Sequence, residues 1–116
     1  MKYMCLIYLD EALHAALTDE ERRRLAHEAV AYDAKLRDGG HYVASDVLAS
    51  ARMATTLRHA AGRFSTHDGP FAETKEQLGG FVTIEARDLD QALKIATGFP
   101  GARFGGVEVR PVVHLG

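Results

Sequence analysis

His67 and Asp68 stand side by side where a strand-like run gives way to a turn, and a histidine next to a carboxylate is a simple pair for moving a proton. Adjacent strand residues point to opposite faces, so the two need not touch. Asp68 also opens the turn signal Asp68-Gly69-Pro70, where its carboxylate can instead bond backbone N–H groups two residues on. If the following segment is extended, Glu73 and Lys75 share a face and offer polar groups to a pocket. A solvated ion pair worth little is the plainer use of the same two residues. Phe71 is the large apolar group of this stretch and is expected to anchor it to the core. The candidate binding set is therefore Asp68, Phe71, Glu73 and Lys75.

Two more acid–base candidates lie elsewhere. Asp46 interrupts an otherwise apolar strand, and an ionised carboxylate there needs a partner or solvent. His27 sits on a helix whose apolar stripe is Leu25, Ala29, Tyr32 and Leu36. At about 100° per residue it falls on the side away from that stripe, which favours a solvated or interface histidine. Asp33 and Arg37 lie nearer the stripe and either line a cleft or pair at i, i+4. Glu108 and Arg110 share a face of the last strand, where a structural salt bridge is the simplest use. The catalytic candidates are thus His67, Asp68, Asp46 and His27.

Metal and cofactor chemistry find no signature. The histidines are His14, His27, His41, His59, His67 and His114, and no two have the spacing of a helix or strand metal pair. Neither a P-loop nor a dinucleotide fingerprint occurs, so no cofactor is expected. The lone Cys5 rules out a disulfide within the chain and fits a reducing, cytoplasmic location. A net charge of −2 gives no general field for nucleic acid or an anionic membrane. The apolar run at the N-terminus is far too short to span a bilayer and lacks a cleavage site before Asp10-Glu11.

The elements that must position these groups follow from periodicity. The chain has 116 residues, 47% hydrophobic and 26% charged, which fits one globular domain and argues against long disorder. Residues 2–9 read as a strand apolar on both faces. Thr18 and Glu21 form a capping box ahead of the first helix, which Gly39-Gly40 ends. Strands follow at 41–48, 52–58 and 63–67, the last two forming a hairpin around 59–62, and another runs over 79–86. Asp88 caps a second helix with a stripe of Leu89, Ala92, Leu93 and Ala96, and residues 106–114 form the last strand. Two helices among such strands imply an α+β, ferredoxin-like split βαβ arrangement, with both helices on one face of an antiparallel sheet. The strand 2–9 and the pair Phe81 and Ile84 put apolar groups on both sheet faces. A homodimer packed sheet against sheet would cover the second face. The alternative is that residues 50–77 fold over it.

The run Asp68-Gly69-Pro70-Phe71-Ala72-Glu73-Thr74-Lys75-Glu76 resembles the defining motif of the DGPF subfamily of YCII-related proteins. Met1-Lys2-Tyr3-Met4, Gly79-Gly80-Phe81, Glu85-Ala86-Arg87-Asp88-Leu89 and Val107-Glu108-Val109-Arg110-Pro111 extend the resemblance over nearly the whole chain. The resemblance implies a dimeric α/β-barrel built from ferredoxin-like domains. Some more distant relatives look like enzymes that use a His–Asp pair, and many similar proteins are encoded beside extracytoplasmic-function sigma factors. Two functions from different classes follow: an acid–base enzyme or small-molecule-binding protein working without metal, and a regulatory partner of a sigma factor. A third reading makes the motif purely structural.

Overall fold

The computed structural model describes residues 1–116. Lys2–Asp10 forms β1, and its alternate residues divide between two environments. Tyr3 and Cys5 are buried, whereas Met4, Leu6 and Tyr8 on the other face are half-buried. Asp10 then caps a short helix α1, Glu11–Ala15, by accepting from the Ala12 N–H at 3.0 Å. Helix α2 spans Asp19–Asp38 and opens with the capping box read from the sequence. Glu21 N–H donates to Thr18 Oγ1 at 3.1 Å, and Glu21 Oε1 accepts from the Thr18 N–H at 2.9 Å. Gly39 closes the helix, and Gly40 turns the chain away at φ 76°.

Strand β2, Tyr42–Val47, follows, then a single 3-10 turn at Ala51–Met53. Strands β3 (Thr55–Ala60) and β4 (Arg63–Asp68) make the expected hairpin as a two-stranded sheet of their own. Its two turn residues, Ala61 and Gly62, have φ of 51° and 76°, the positive pair of a tight hairpin turn. Strand β5 is Glu76–Glu85, helix α3 is Leu89–Ala96, a 3-10 segment covers Pro100–Phe104, and β6 is Gly105–Pro111.

The main sheet has the order β2-β5-β1-β6, antiparallel throughout. With the β3–β4 hairpin set aside as an insertion, this order fits a ferredoxin-like α+β fold. Cross-strand pairs Tyr3↔Ile84 and Cys5↔Val82 form the centre of the core, with Val109 opposite Cys5 on the other side. Leu36 of α2 and Ala92, Ile95 and Ala96 of α3 pack onto this one face. The Tyr32 hydroxyl ties the two helices by donating to the Ile95 carbonyl at 2.6 Å.

Several details depart from the sequence reading. The chain has three helices rather than two, because Asp10 supplies a cap that starts α1 directly from the end of β1. Strand β5 starts three residues early, since Glu76, Gln77 and Leu78 still pair with β1 beyond a bulge. Helix α3 buries Ala92, Ile95 and Ala96, an i, i+3, i+4 set, and leaves Leu89 and Leu93 exposed. Strand β4 does not cover the second sheet face, for every residue of it is exposed; Met53 and the loop 70–74 border only the Tyr8 and Leu78 end of that face. The result is a flat molecule, 18 Å along its shortest axis, with a radius of gyration of 16.0 Å. A compact chain of this length has a radius of about 13 Å.

Gly80 is buried where β2, β5 and β1 meet, and a Cβ there would lie 2.8 Å from the Asp46 carbonyl oxygen. Backbone cannot yield as a flexible side chain can. Gly80→Val should therefore cost about 1–3 kcal/mol, read as a lower urea midpoint with an unchanged slope.

Candidate functional site

The face of the sheet that carries the helices is not fully filled. Between α2 and the strands lies a cavity of about 270 Å³. Ile7 and Leu9 of β1, Gly80 and Val82 of β5, Leu25, Ala26 and Ala29 of α2, and Phe99, Pro100 and Phe104 line it. Gly79 and Gly80 line it with backbone and Ala26 and Ala29 with small side chains; the Leu9 side chain covers Gly79, and the Asp46 main chain of β2 lies against Gly80. Further along α2, Leu36 and Tyr32 close the gap.

Four ionisable residues border this apolar space: His14, Arg22, Asp33 and, at its margin, Asp46. Arg22 is already engaged, with Nη2 donating to the Ala15 carbonyl at 2.8 Å and Nη1 to Asp19 at 3.2 Å. The His14 ring lies edge-on to Phe104, with centroids 5.9 Å apart. Asp33 is half-buried and takes part in none of the six ion pairs of the chain. Burial raises its carboxyl above the ordinary aspartate value, and the nearby Arg37 charge offsets this only in part. The alternative i, i+4 pair with Arg37 does not form, because that guanidinium lies over the Tyr42 ring, 4.1 Å from its centroid. A carboxylate with a raised pKa, free of partners and facing an apolar cavity, can accept a hydrogen bond or take a proton.

The residues singled out by sequence fall in different places. Asp46 lies at the margin of the cavity, exposed on the edge strand β2. His27 is exposed on α2, away from the cavity. His67 is exposed on β4, where its Nε2 meets Ser65 Oγ at 3.0 Å, and Asp68 is exposed at the end of that strand. The structure therefore brings none of His27, His67 and Asp68 to the cavity. His14 had no signal beyond its type, since it depends on α1. Asp33 did carry one: with Leu25 and Ala29 it falls at intervals of four along one helix face.

The stretch 68–76 is a knitted loop. Thr56 Oγ1 donates to the Gly69 carbonyl at 2.7 Å, and Arg58 Nη2 donates to the Phe71 carbonyl at 2.8 Å. Gln77 Nε2 donates to the carbonyls of Ala72 and Thr74 at 2.8 and 2.9 Å. Phe71 does not anchor in the core. It is 69% exposed and stacks under the Arg58 guanidinium, 4.0 Å from its ring centroid. Glu73 and Lys75 do not pair with each other; Lys75 Nζ instead lies 3.7 Å from the buried Asp10. Glu108 and Arg110 are likewise unpaired with each other, and Glu108 accepts from the Tyr8 hydroxyl at 3.5 Å. The loop forms one wall of a second, open groove of about 550 Å³, with Tyr8, Leu48, Met53 and Leu78 on its other sides. No group of three or more histidine, cysteine, aspartate or glutamate side chains is arranged to hold a metal ion.

With this architecture in view, comparison with known proteins gives the class. The model of the YCII-related domain matches residues 1–115, and the chain belongs to that family. An uncharacterized protein of Rhizobium meliloti (strain 1021) is 40% identical over 114 residues, which span 97% of this chain and 92% of the relative. No helix is long and apolar enough to cross a membrane.

Two measurements check these assignments. Because folding raises the Asp33 carboxyl, the folded chain holds a proton that the unfolded chain has released, and stability is lost as pH rises through that interval. Asp33→Asn removes the loss. Its melting temperature should exceed the wild-type value at pH 7, and the margin should vanish below the ordinary aspartate value of about 3.9. Phe71→Ala gives up an exposed cation–π contact worth about 0.5–1 kcal/mol, so thermal unfolding of the dissociated chain should register only a small loss; a larger loss at concentrations where copies associate marks a ring covered by a second copy.

Proposed function

We propose that this protein binds a small, mostly apolar molecule in the cavity beneath α2, with Asp33 as its polar contact. The observation that carries the proposal is a half-buried carboxylate with a raised pKa and no ion-pair partner, set in an otherwise apolar pocket. Ligand sites commonly combine an apolar lining with a few placed polar groups. In its enzymatic form the reading is acid–base chemistry without metal, Asp33 taking a proton at its raised pKa and His14 supplying a second titratable group from α1. The run 68–76 supports placing the chain in the DGPF subfamily. The lone buried Cys5, its thiol pushed up to about 11 by burial, is unreactive and supports a reducing, cytoplasmic setting.

The sheet face opposite the helices supports a homodimer. Met4, Leu6, Tyr8, Leu78 and Phe81 share that face and remain half-buried, outside the core. The regulatory alternative, association with an extracytoplasmic-function sigma factor, draws on the exposure of Asp68, Phe71 and Glu73 in the motif loop. Such association would leave the cavity empty of function.

A screen of small cyclic organic molecules, read by methyl NMR shifts of Ile7, Leu9, Leu25 and Val82, tests the main reading. Hits should shift these methyls in the wild type and lose affinity at least tenfold in Ala29→Phe, which fills the cavity. Absence of any hit at these four methyls would end the proposal.

A further inference from the structure

The β3–β4 hairpin is tied to the rest of the chain on one side only. Residues paired across it divide into two faces. On one, Thr56 and Arg58 are held by the backbone carbonyls of Gly69 and Phe71. On the other, Leu57 and Phe64 are 60% and 68% exposed, with only His59 against the Phe64 ring, centroids 4.8 Å apart. An isolated two-stranded hairpin is marginal in water and needs a packed apolar face. This chain supplies none for Leu57 and Phe64.

The exposed area states the same deficit for the whole molecule. The chain exposes 8148 Å². A folded monomer of its mass exposes about 6,200 Å². The surplus is far more than the roughly 800 Å² per partner that a stable interface buries. The exposed apolar side chains include Leu57 and Phe64 on the hairpin and Leu48, Met53 and Phe71 around the open groove. Hairpin and groove occur once each per chain, so a twofold axis would let each be filled by the other.

We infer that the hairpin is an exchange arm: Leu57 and Phe64 of one copy seat in the groove between Tyr8, Leu48, Met53, Phe71 and Leu78 of a second copy. This deepens the homodimer reading and rests on it. The motif loop 68–76 thereby serves two ends, bracing the arm of its own chain through Arg58 and walling the groove that receives the arm of the other.

Sedimentation of the full chain at micromolar concentration should give a dimer. Phe64→Asp or Leu57→Asp should raise its dissociation constant on the order of 30-fold, the loss of one central anchor. Ser65→Asp, on the braced face, should leave it unchanged. A photo-crosslinking phenylalanine at position 64, in a mixture of isotopically light and heavy chains, should join light to heavy at the groove, and this needs no destabilising change. A monomeric wild type overturns the arm together with the dimer. A dimer indifferent to both substitutions, or crosslinks confined to single chains or to a different protein, overturns the arm and leaves a sheet-to-sheet dimer standing.

Discussion

The antiparallel ladder between β1 and β5 carries the rest of the molecule. Its facing pairs Tyr3–Ile84 and Cys5–Val82 place four buried side chains in one patch, and Cys5 and Ile84 are wholly inaccessible. Helices α2 and α3 pack on that patch, and β2 and β6 pair along the ladder's two outer edges. Where it runs on from Cys5 and Val82 to Ile7, Leu9 and Gly80, the same ladder lines the cavity beneath α2. Core and pocket are thus successive stretches of one strand pair.

Helix supply sets a second constraint. The two long helices suffice for one sheet face, and the chain spends its remaining length on a hairpin that leaves the sheet instead of returning to it. The apolar side chains on the open face and on the hairpin lie outside the core. The motif loop fits this picture as a connector. Its main-chain carbonyls, more than its charged side chains, do the bonding, accepting from Thr56, Arg58 and Gln77.

Much of the fold was legible in the sequence because the signals were local. Thr18 and Glu21 announce a helix start, Gly39-Gly40 its end, and the turn at 59–62 marks the hairpin. Helix α1 was not legible, since five residues show no period and depend on the Asp10 cap. The β5 start and the α3 face were misread because β1 pairing and sheet packing, both remote in sequence, set them. The site was less legible still. His67 and Asp68 drew notice by adjacency, which says nothing about where a strand aims them. Asp33 joins the cavity through partners remote in sequence, Ile7 and Leu9 of β1 and Gly80 and Val82 of β5, which its own helix does not announce.

Strand order also bears on how the chain is made. β1 is made before every other element described, yet its partners β5 and β6 come late in the order. Local pairing cannot satisfy it; closing loops of more than sixty residues is slow relative to forming helices or the hairpin. Until then an apolar strand has both edges open, a condition that invites pairing with other chains. Production of this protein should therefore depend on chaperone capacity and translation rate more than its small size suggests.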